Sequence, residues 1–510
     1  MTAQDLPAEI LTYIFELAVE DESLFEHMHA TVMTESAWGR KTPTSDWLLM
    51  DPTKVAHAKQ IRKYTITKAI MFTCRRWYKT AYHLLFECLF VSDPSRLPGV
   101  CTVLDRYAWL GWYVRRIHLH RYYATRRFTM SDLENMLVSV IHQCPNLELF
   151  TVEWAITPSF PAIADALTTY STKSLRSIYW TLAPESLPRL IWALDSLPGL
   201  VSAEIHLESK HGLSGEAEDE ASILLGAAAE VAIALPALKQ LTLWGHSQDF
   251  IEQATGWSLP ALQSFTLDFA ANRNDLPDVV PFLAQHGTQL LYLDLNTIPA
   301  IDIAAVLAAC PLLKTFAFNP DWRLQFHVES ADPAASPTLL SSPHPNITHI
   351  GLHQLLHAFL PSRGSEITAA LPTAATYLLQ RINDLTFGQL TKRLFPQLQV
   401  IRVLNRTLLT GLEKNNGPED EGMDRWKRWV AQCDAEGIRL EDCTGAHLGD
   451  LPMDEDEESD EEEDEEDETR LRPSNVKELR SLIEEIRQML AVEEPQSEIL
   501  TDALKSHTYT

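Results

Sequence analysis

The sequence predicts an α/β protein with three parts: a small N-terminal helical module, a long array of strand-plus-helix units, and an acidic C-terminal tail. Three observations lead to this fold class. Apolar residues recur with helical spacing near the start, one short apolar motif returns ten times between residues 110 and 405, and an acidic run begins at position 454. The chain has 510 residues, more than one ordinary core organises, so we expect several domains or a long array.

The chain begins with a short apolar segment, "LPAEILTYIFELA", at residues 6–18. Pro7 suits the first turn of a helix, and Glu9 lies near the positive end of the helix dipole. Apolar side chains then follow helical spacing over a wide arc: Leu6, Ile10, Leu11, Ile14, Phe15, Leu17 and Ala18. Because so wide an arc must be covered on more than one side, we expect the helix's own domain to cover one side and a partner the other.

Helical spacing resumes after a polar, irregular insertion at about 20–62. Within residues 66–91 the apolar positions of a second and a third helix are Ile66, Ile70, Cys74, Trp77, Ala81, Leu84 and Leu85. Leu89–Val91 suits a short strand. The sequence therefore predicts a helical module at residues 1–95 that is split by an insertion.

The segments "LPAEILTYIF", "CRRWYKTA" and "LLFECLFVSDP", in this order, resemble an F-box, especially the fungal kind. The insertion of about forty residues departs from the family's spacing, although loops tolerate such additions. The resemblance implies that the module binds the Skp-type adaptor of a cullin–RING ubiquitin ligase. Carried over by position, the residues that contact the adaptor or pack the module are Leu6, Pro7, Ile10, Leu11, Ile14, Phe15, Ile70, Cys74, Trp77 and Ala81. An ordinary helical cap on the next domain is the alternative.

The motif of the long middle part is L-x-x-[LIF]-x-[LVIFW], and it defines an array over residues 100–446. Its copies begin at Val114, Leu147, Leu175, Leu200, Leu238, Leu262, Leu290, Leu313, Ile347 and Leu398. Several copies follow a proline, and helical stretches such as "IDIAAVLAAC" lie between them. We interpret each unit as one strand plus one helix, with the fixed apolar positions inside and the x positions facing solvent on a parallel sheet.

The pattern resembles an irregular leucine-rich repeat, and an F-box followed by leucine-rich repeats is a familiar pairing. Successive copies start 23–51 residues apart, which overlaps the usual period but extends beyond it. A doubly wound α/β domain is the alternative. The last unit is predicted to combine an apolar helical face with a final strand: Trp426, Trp429, Val430 and Cys433, then Ile438 and Leu440.

Composition limits the kinds of binding partner and the cellular compartment that we expect. The net charge of −28 makes nucleic acid unlikely and argues against an anionic membrane, because both repel an acidic protein. The 14 acidic residues of 454–468 account for half of it, since −28 + 14 = −14. The seven cysteines include no C-x-x-C pair, and no signal peptide or bilayer-spanning run is evident, so we expect a cytoplasmic or nuclear protein.

The C-terminal tail divides into three segments. Residues 447–473 form an acidic linker that is expected to be disordered, because it repels itself and has little apolar surface to bury. Residues 474–492 are predicted to form an amphipathic helix capped by Ser474, and 493–510 complete the tail. The sequence does not decide whether this helix docks on the array or binds another chain.

No catalytic constellation is recognisable, and we expect neither cofactor nor metal. The histidines of "HLH", His118 and His120, could be two metal ligands. We favour a solvated face, with Ile117 and Leu119 pointing inward. The basic stretch 115–127 is interpreted as a solvated face, with nucleic-acid binding or pairing with the acidic tail as alternatives.

These observations predict a non-enzymatic substrate receptor of a Skp–cullin–F-box ubiquitin ligase. The substrate-binding residues are expected at x positions on the exposed face of the sheet: Tyr179, Thr242, Trp244, Thr266, Asp268, Tyr292 and Asp294. A repeat scaffold without ubiquitin transfer is one alternative, and an enzyme on a doubly wound fold is the other.

Overall fold

The computed structural model describes residues 6–19, 22–39, 48–50, 52–208, 225–269, 279–296, 302–321, 338–359, 373–414, 418 and 420–448. The C-terminal helix predicted at 474–492, the segment 493–510 and all but the first two residues of the predicted linker lie outside these ranges. None of the described helices is both long enough and apolar enough to span a bilayer.

The helices are α1 (Ala8–Val19), α2 (Pro52–Thr73), α3 (Arg75–Ala81), α4 (Leu97–Arg106), α5 (Met130–Gln143), α6 (Phe160–Tyr170), α7 (Leu187–Asp195), α8 (Gln248–Thr255), α9 (Val279–His286), α10 (Ile303–Ala309), α11 (Leu356–Phe359), α12 (Thr373–Gln389), α13 (Arg406–Lys414) and α14 (Asp420–Glu436).

The strands are β1 (Ala37–Gly39), β2 (Leu48–Met50), β3 (Cys88–Val91), β4 (Arg116–Leu119), β5 (Leu149–Ala155), β6 (Ser177–Leu182), β7 (Ser202–Leu207), β8 (Gln240–Gly245), β9 (Ser264–Phe269), β10 (Tyr292–Leu295), β11 (Thr315–Phe318), β12 (His349–Leu352), β13 (Val400–Val403) and β14 (Arg439–Glu441).

Twelve strands form one sheet in sequential order from β3 to β14. All eleven pairings between neighbouring strands are parallel. Each of the ten motif copies gives a strand that begins two residues after the copy does, as Leu175 precedes Ser177 of β6. A doubly wound sheet reverses its strand order at a switch point, and this order does not reverse. The mixed α/β architecture is therefore consistent with a repeat solenoid.

The fixed apolar positions of the motif build the core, as the sequence predicts. On β6, Ile178, Trp180 and Leu182 are all fully buried against the helices of the array. Alternation along each strand therefore turns the x positions to the opposite face of the sheet. We call this second face the inner face. Cys144 and Cys310 are buried where a helix ends before a proline.

The N-terminal module has its own small core. Leu11, Phe15 and Val19 of α1 pack against Met71, Ala81 and Leu84. Helix α1 confirms the helix predicted at residues 6–18, and β3 confirms the strand predicted at Leu89–Val91. Because β3 pairs with β4, the sheet of the array begins inside the predicted module.

Helix α2 begins at Pro52, before the predicted second helix and inside the predicted insertion. Its N-terminal half has no apolar stripe, and polar contacts attach it to the start of β3. Lys63 Nζ lies 2.6 Å from Glu87 Oε2 and Gln60 Nε2 lies 2.8 Å from Cys88 Sγ. The Tyr64 hydroxyl donates to the Cys88 carbonyl and accepts from the backbone N–H of Phe90. The helix therefore supplies hydrogen-bond partners to backbone groups of the edge strand β3. Open sheet edges need such protection.

Candidate functional site

Two surfaces carry the predicted binding residues. The first is the outward side of α1. Four apolar side chains there remain between 43% and 59% exposed: Ile10, Tyr13, Ile14 and Leu17. Their spacing of three, one and three residues places them on one helical face. Helix α1 thus fills the core of its module with one face and presents a second apolar face to solvent.

The residues predicted to bind the adaptor divide between these two faces. Pro7, Ile10 and Ile14 are exposed. The remaining seven are half-buried or buried in the module: Leu6, Leu11, Phe15, Ile70, Cys74, Trp77 and Ala81. Sequence reasoning missed Tyr13 and placed Leu17 only in the general arc, although the same helical spacing identifies both. Adaptor binding by this set stays a prediction.

Residues 22–36, within the predicted insertion, lie along the inner face of the sheet; we call them the strap. At its start, the Leu24 carbonyl accepts a hydrogen bond from Arg116 Nη1 at 2.7 Å. Next, His27 Nε2 lies 3.2 Å from Glu148 Oε2. Glu148 also binds Arg115 through two nitrogen–oxygen pairs at 2.9 and 3.0 Å. The strap is therefore anchored at β4 and just before β5.

The middle of the strap is held by the buried side chain of Gln240 at the start of β8. Its Oε1 accepts from the backbone N–H of His29 at 2.7 Å, and its Nε2 donates to the His29 carbonyl at 3.0 Å. The His29 ring contacts the Ile178 carbonyl at 3.2 Å. Burial lowers the pKa of His29, and the nearby Glu204 opposes that effect. Burial favours a neutral ring at this position.

The end of the strap is bound by Arg402 of β13. Its Nη1 donates to the Met33 carbonyl at 2.6 Å and its Nη2 lies 3.1 Å from Glu35 Oε1. The same guanidinium binds the buried Glu441 of β14 at 3.0 and 2.6 Å. A backbone hydrogen bond of 2.9 Å from Ser36 to the carbonyl of Cys443 completes the attachment. The strap thus crosses from β4 to β14.

The seven predicted substrate-binding residues lie on the inner face, as alternation predicts, but the strap and its surroundings leave them little exposed. The prediction of exposure is wrong for Thr242, Thr266 and Asp294, which are 6%, 5% and 1% exposed. Asp294 binds His353 at 2.7 Å. The Thr31–Met33 stretch lies beside Tyr292, whose pKa burial raises.

The remaining predicted substrate-binding residues are half-buried. The Tyr179 ring lies 6.3 Å from that of His29 in the strap. Trp244 stacks on His206 with ring centroids 5.3 Å apart, and Asp268 accepts from Asn296 Nδ2 at 2.7 Å. Substrate binding by the seven residues stays a prediction, and it now concerns a surface that the chain itself covers.

The histidines of "HLH" differ from expectation. Ile117 and Leu119 point into the core as predicted, but His118 is only 2% exposed. The solvated-face interpretation is wrong for His118 because α2 places His57 over this part of the inner face, with Nε2 atoms 3.4 Å apart. Glu153 of β5 lies within hydrogen-bonding distance of His57, His118 and His120.

The basic stretch 115–127 does not act as one patch. Arg115 binds Glu148 and Arg116 binds the strap, so both are engaged within the protein. Arg126 and Arg127 are exposed in the segment before α5. The acidic residues proposed as a partner for this stretch lie outside the described ranges.

Among the comparisons with known proteins, the one with solved structures finds similar chains. No family model matches the chain, and no curated protein matches it. A similar solved structure is the crystal structure of the Rad7 and Elc1 complex in yeast. The two sequences are 10% identical. The alignment covers 69% of this chain and 91% of the matching chain in that structure, with a TM-score of 0.26. A likeness at this level carries no argument about function.

Proposed function

We propose that this protein is the substrate receptor of a Skp–cullin–F-box ubiquitin ligase, with leucine-rich repeats as its substrate-binding part. The outward face of α1 is the observation that carries the proposal. A contiguous apolar face on a soluble domain favours contact with another protein. The F-box-like motifs that include this helix supply the kind of partner, a Skp-type adaptor.

The division of α1 into two faces fits this role. Leu11 and Phe15 are 1% and 2% exposed, so the module's own core accounts for one face. Ile10 and Ile14 are 46% and 43% exposed, and nothing in the described chain covers them further. An adaptor groove that covers Ile10 and Ile14 would gain their apolar area without disturbing the module.

The receptor would act by positioning, without an active site of its own. Bound to the adaptor and through it to the cullin, the array would hold a substrate so that its lysines face the conjugating enzyme on the RING subunit. Holding reactants together in this way is itself a large rate effect. The cytoplasm or the nucleus is the proposed place of action.

The strap adds a condition for substrate binding. The proposed surface around Tyr179 and Tyr292 becomes accessible only when residues 22–36 leave the inner face. A substrate that binds there must therefore replace the strap's contacts with Gln240 and Arg402. A substrate that binds the helical side of the array would not need this displacement.

The experiment is adaptor capture by the full chain, because β3 needs β4 and a fragment of residues 1–100 would lack it. The test variant is the double substitution Ile10→Asp, Ile14→Asp. Burying the exposed part of these two side chains should contribute about 2–3 kcal/mol, so their replacement should weaken adaptor binding by roughly 30–150-fold. The affinity of purified protein for the host's Skp-type adaptor measures this change.

The matched control is Tyr377→Asp, Leu378→Asp on α12, an exposed apolar pair at 72% and 57%. It adds the same charges elsewhere and should bind the adaptor like the wild type. Equal binding by all three proteins would overturn the adaptor contact. If the folded wild-type protein does not bind the adaptor, the repeat scaffold without ubiquitin transfer becomes the better proposal.

A further inference from the structure

Four side chains with metal-binding atoms meet on the inner face near β4. His118 lies on β4, His120 follows it directly, Glu153 lies on β5 and His57 lies on α2. Glu153 Oε1 is 2.9 Å from His57 Nε2 and 3.0 Å from His118 Nε2, and Oε2 is 2.6 Å from His120 Nδ1. The two Nε2 atoms of His57 and His118 are 3.4 Å apart.

The fold explains why these groups converge. His118 and His120 are two residues apart, so both point to the inner face. His118 pairs with Thr151 in the parallel register, which places Glu153 on the same face of the next strand. Helix α2, held by its polar contacts with β3, brings His57 over them from above. Three separate segments therefore contribute to one cluster.

The chemical types of the four groups suit a cation. Metal ligands bind in their unprotonated forms, as a carboxylate or as an imidazole with a free ring nitrogen. The short distances from Glu153 to the three histidine rings bring such groups together at one point of the inner face.

We propose that His57, His118, His120 and Glu153 bind a divalent transition-metal ion, for which Zn²⁺ is the best match. Imidazole nitrogens and a carboxylate oxygen form a usual donor set for zinc. At metal–ligand distances of about 2.0–2.1 Å, neighbouring donors around a tetrahedral ion are about 3.3 Å apart. The triangle of 2.9, 3.0 and 3.4 Å between His57, His118 and Glu153 is close to one face of that tetrahedron.

His120 forms a second group of donors with His57 and Glu153. Its ligand atom, that of His57 and a Glu153 oxygen all lie within 4.8 Å of one another. The side chain of His120 is 39% exposed, so an ion can reach the cluster from solvent on this side. The bound ion would fasten α2 to the sheet and hold the N-terminal module in a fixed position on the array. This inference does not depend on the proposed ligase function.

A hydrogen-bonded cluster without an ion is the competing explanation. It requires Glu153 Oε1 to accept from both His57 and His118, whose nitrogens approach the same oxygen atom. The two explanations differ in a measurable way. An ion site binds Zn²⁺ saturably at one equivalent, whereas a hydrogen-bonded cluster resists Zn²⁺ because its nitrogens carry the protons.

The experiment is a Zn²⁺ titration of the chelator-treated full chain by calorimetry, with the metal content of the untreated protein measured in parallel. We expect about one equivalent of saturable binding and a rise in the thermal midpoint with Zn²⁺. Mg²⁺ should give neither effect, because it prefers oxygen ligands. Co²⁺ in the wild-type protein should give the visible absorption of a four-coordinate site with nitrogen and oxygen ligands.

The test variants are His120→Gln and Glu153→Gln, each of which should weaken Zn²⁺ binding by at least about tenfold. The matched control is His353→Gln, which alters another histidine–carboxylate pair of the same inner face and should leave Zn²⁺ binding unchanged. Far-UV circular dichroism in chelator checks that each variant is folded. Absence of saturable Zn²⁺ binding and of the Co²⁺ spectrum in the wild type would overturn the proposal, as would wild-type affinity in both folded test variants.

Discussion

The outward face of α1 and the inner face of the sheet have exposures opposite to those that their side-chain polarity suggests. The apolar side chains of Tyr13 and Leu17 are more than half exposed, whereas the polar side chains of Thr242 and Asp294 are nearly fully buried. Burial of polar groups is tolerated best where they find partners, as Asp294 does in His353 and Gln240 does in the strap. The described chain leaves the outward face of α1 in solvent, whereas it already covers the inner face.

The strap binds the inner face of the sheet much as a peptide ligand would, although both belong to one chain. Its backbone groups at His29 and Met33 bind side chains of the strands, as an extended peptide from another molecule could. Because the strap belongs to the same chain, its effective concentration at the inner face is high. A competing peptide must therefore bind much more strongly than the strap's separate contacts suggest.

The largest expected effect concerns the end of the strap. Arg402→Ala removes the cation that binds both the strap and Glu441, whose side chain is 4% exposed. The buried carboxylate would keep only its contact with the exposed Arg439, so the free energy of unfolding should fall by about 3–5 kcal/mol. Urea unfolding measures the loss, and limited proteolysis within residues 22–36 should become faster as the strap detaches.

Arg439→Ala is the matched control, because Arg439 binds the same carboxylate at 3.1 Å but its side chain is 73% exposed. Exposed pairs contribute little, so the free energy of unfolding should change by less than about 1 kcal/mol. If both variants lose a similar free energy of unfolding, the buried contact of Arg402 with the strap and Glu441 does not stabilise the protein more than an exposed ion pair does.

A smaller effect is expected from pH at the middle of the strap. The pKa of buried His29 is lowered below its ordinary 6.5, while its charged and titratable neighbours are Glu204, Arg116 and His206. Below about pH 6.5 the unfolded state binds a proton that the folded state resists. This contribution to stability is therefore present above the unfolded pKa and is lost as the pH falls toward the lowered folded value.

The measurement is the difference in the free energy of unfolding between the wild type and His29→Asn, at about pH 7.5 and about pH 5.5. Because other titrating groups are common to both proteins, they largely cancel in this difference. We expect the advantage of the wild type to shrink at the lower pH. A constant difference would mean that the His29 ring is as easily protonated in the folded chain as in the unfolded one.

The repeating part of the fold could be predicted from the sequence because its signal is local. Each motif copy fixes two or three inward apolar positions, and ten such copies identify ten strands. Helix α2 was only half predicted because contacts with distant residues stabilise it. Lys63 and Gln60 bind groups at the start of β3, and no periodic pattern in residues 52–65 announces them.

The candidate sites were predictable to different degrees for the same reason. Helical spacing alone assigns Ile10 and Ile14 to one face of α1. The pairing of Met33 with Arg402 joins residues 369 positions apart, and that of His57 with Glu153 joins residues 96 positions apart. An insertion of polar sequence resembles an exposed loop until the surface that binds it is known. The sequence therefore predicted the inner face but not its cover.

The smallest expected effect is that of a substitution on the outward face of α1. Ile14→Ala should change the free energy of unfolding by no more than about 0.5 kcal/mol, because Ile14 is on the outward face and 43% exposed in the free protein. The neighbouring Phe15→Ala should lower it by about 3–5 kcal/mol, because Phe15 is buried. Its ring lies 4.9 Å from that of Trp77. Urea unfolding of both variants gives the contrast. A loss at Ile14 close to that at Phe15 would place Ile14 in the module's core, and α1 would then have no free apolar face to offer an adaptor.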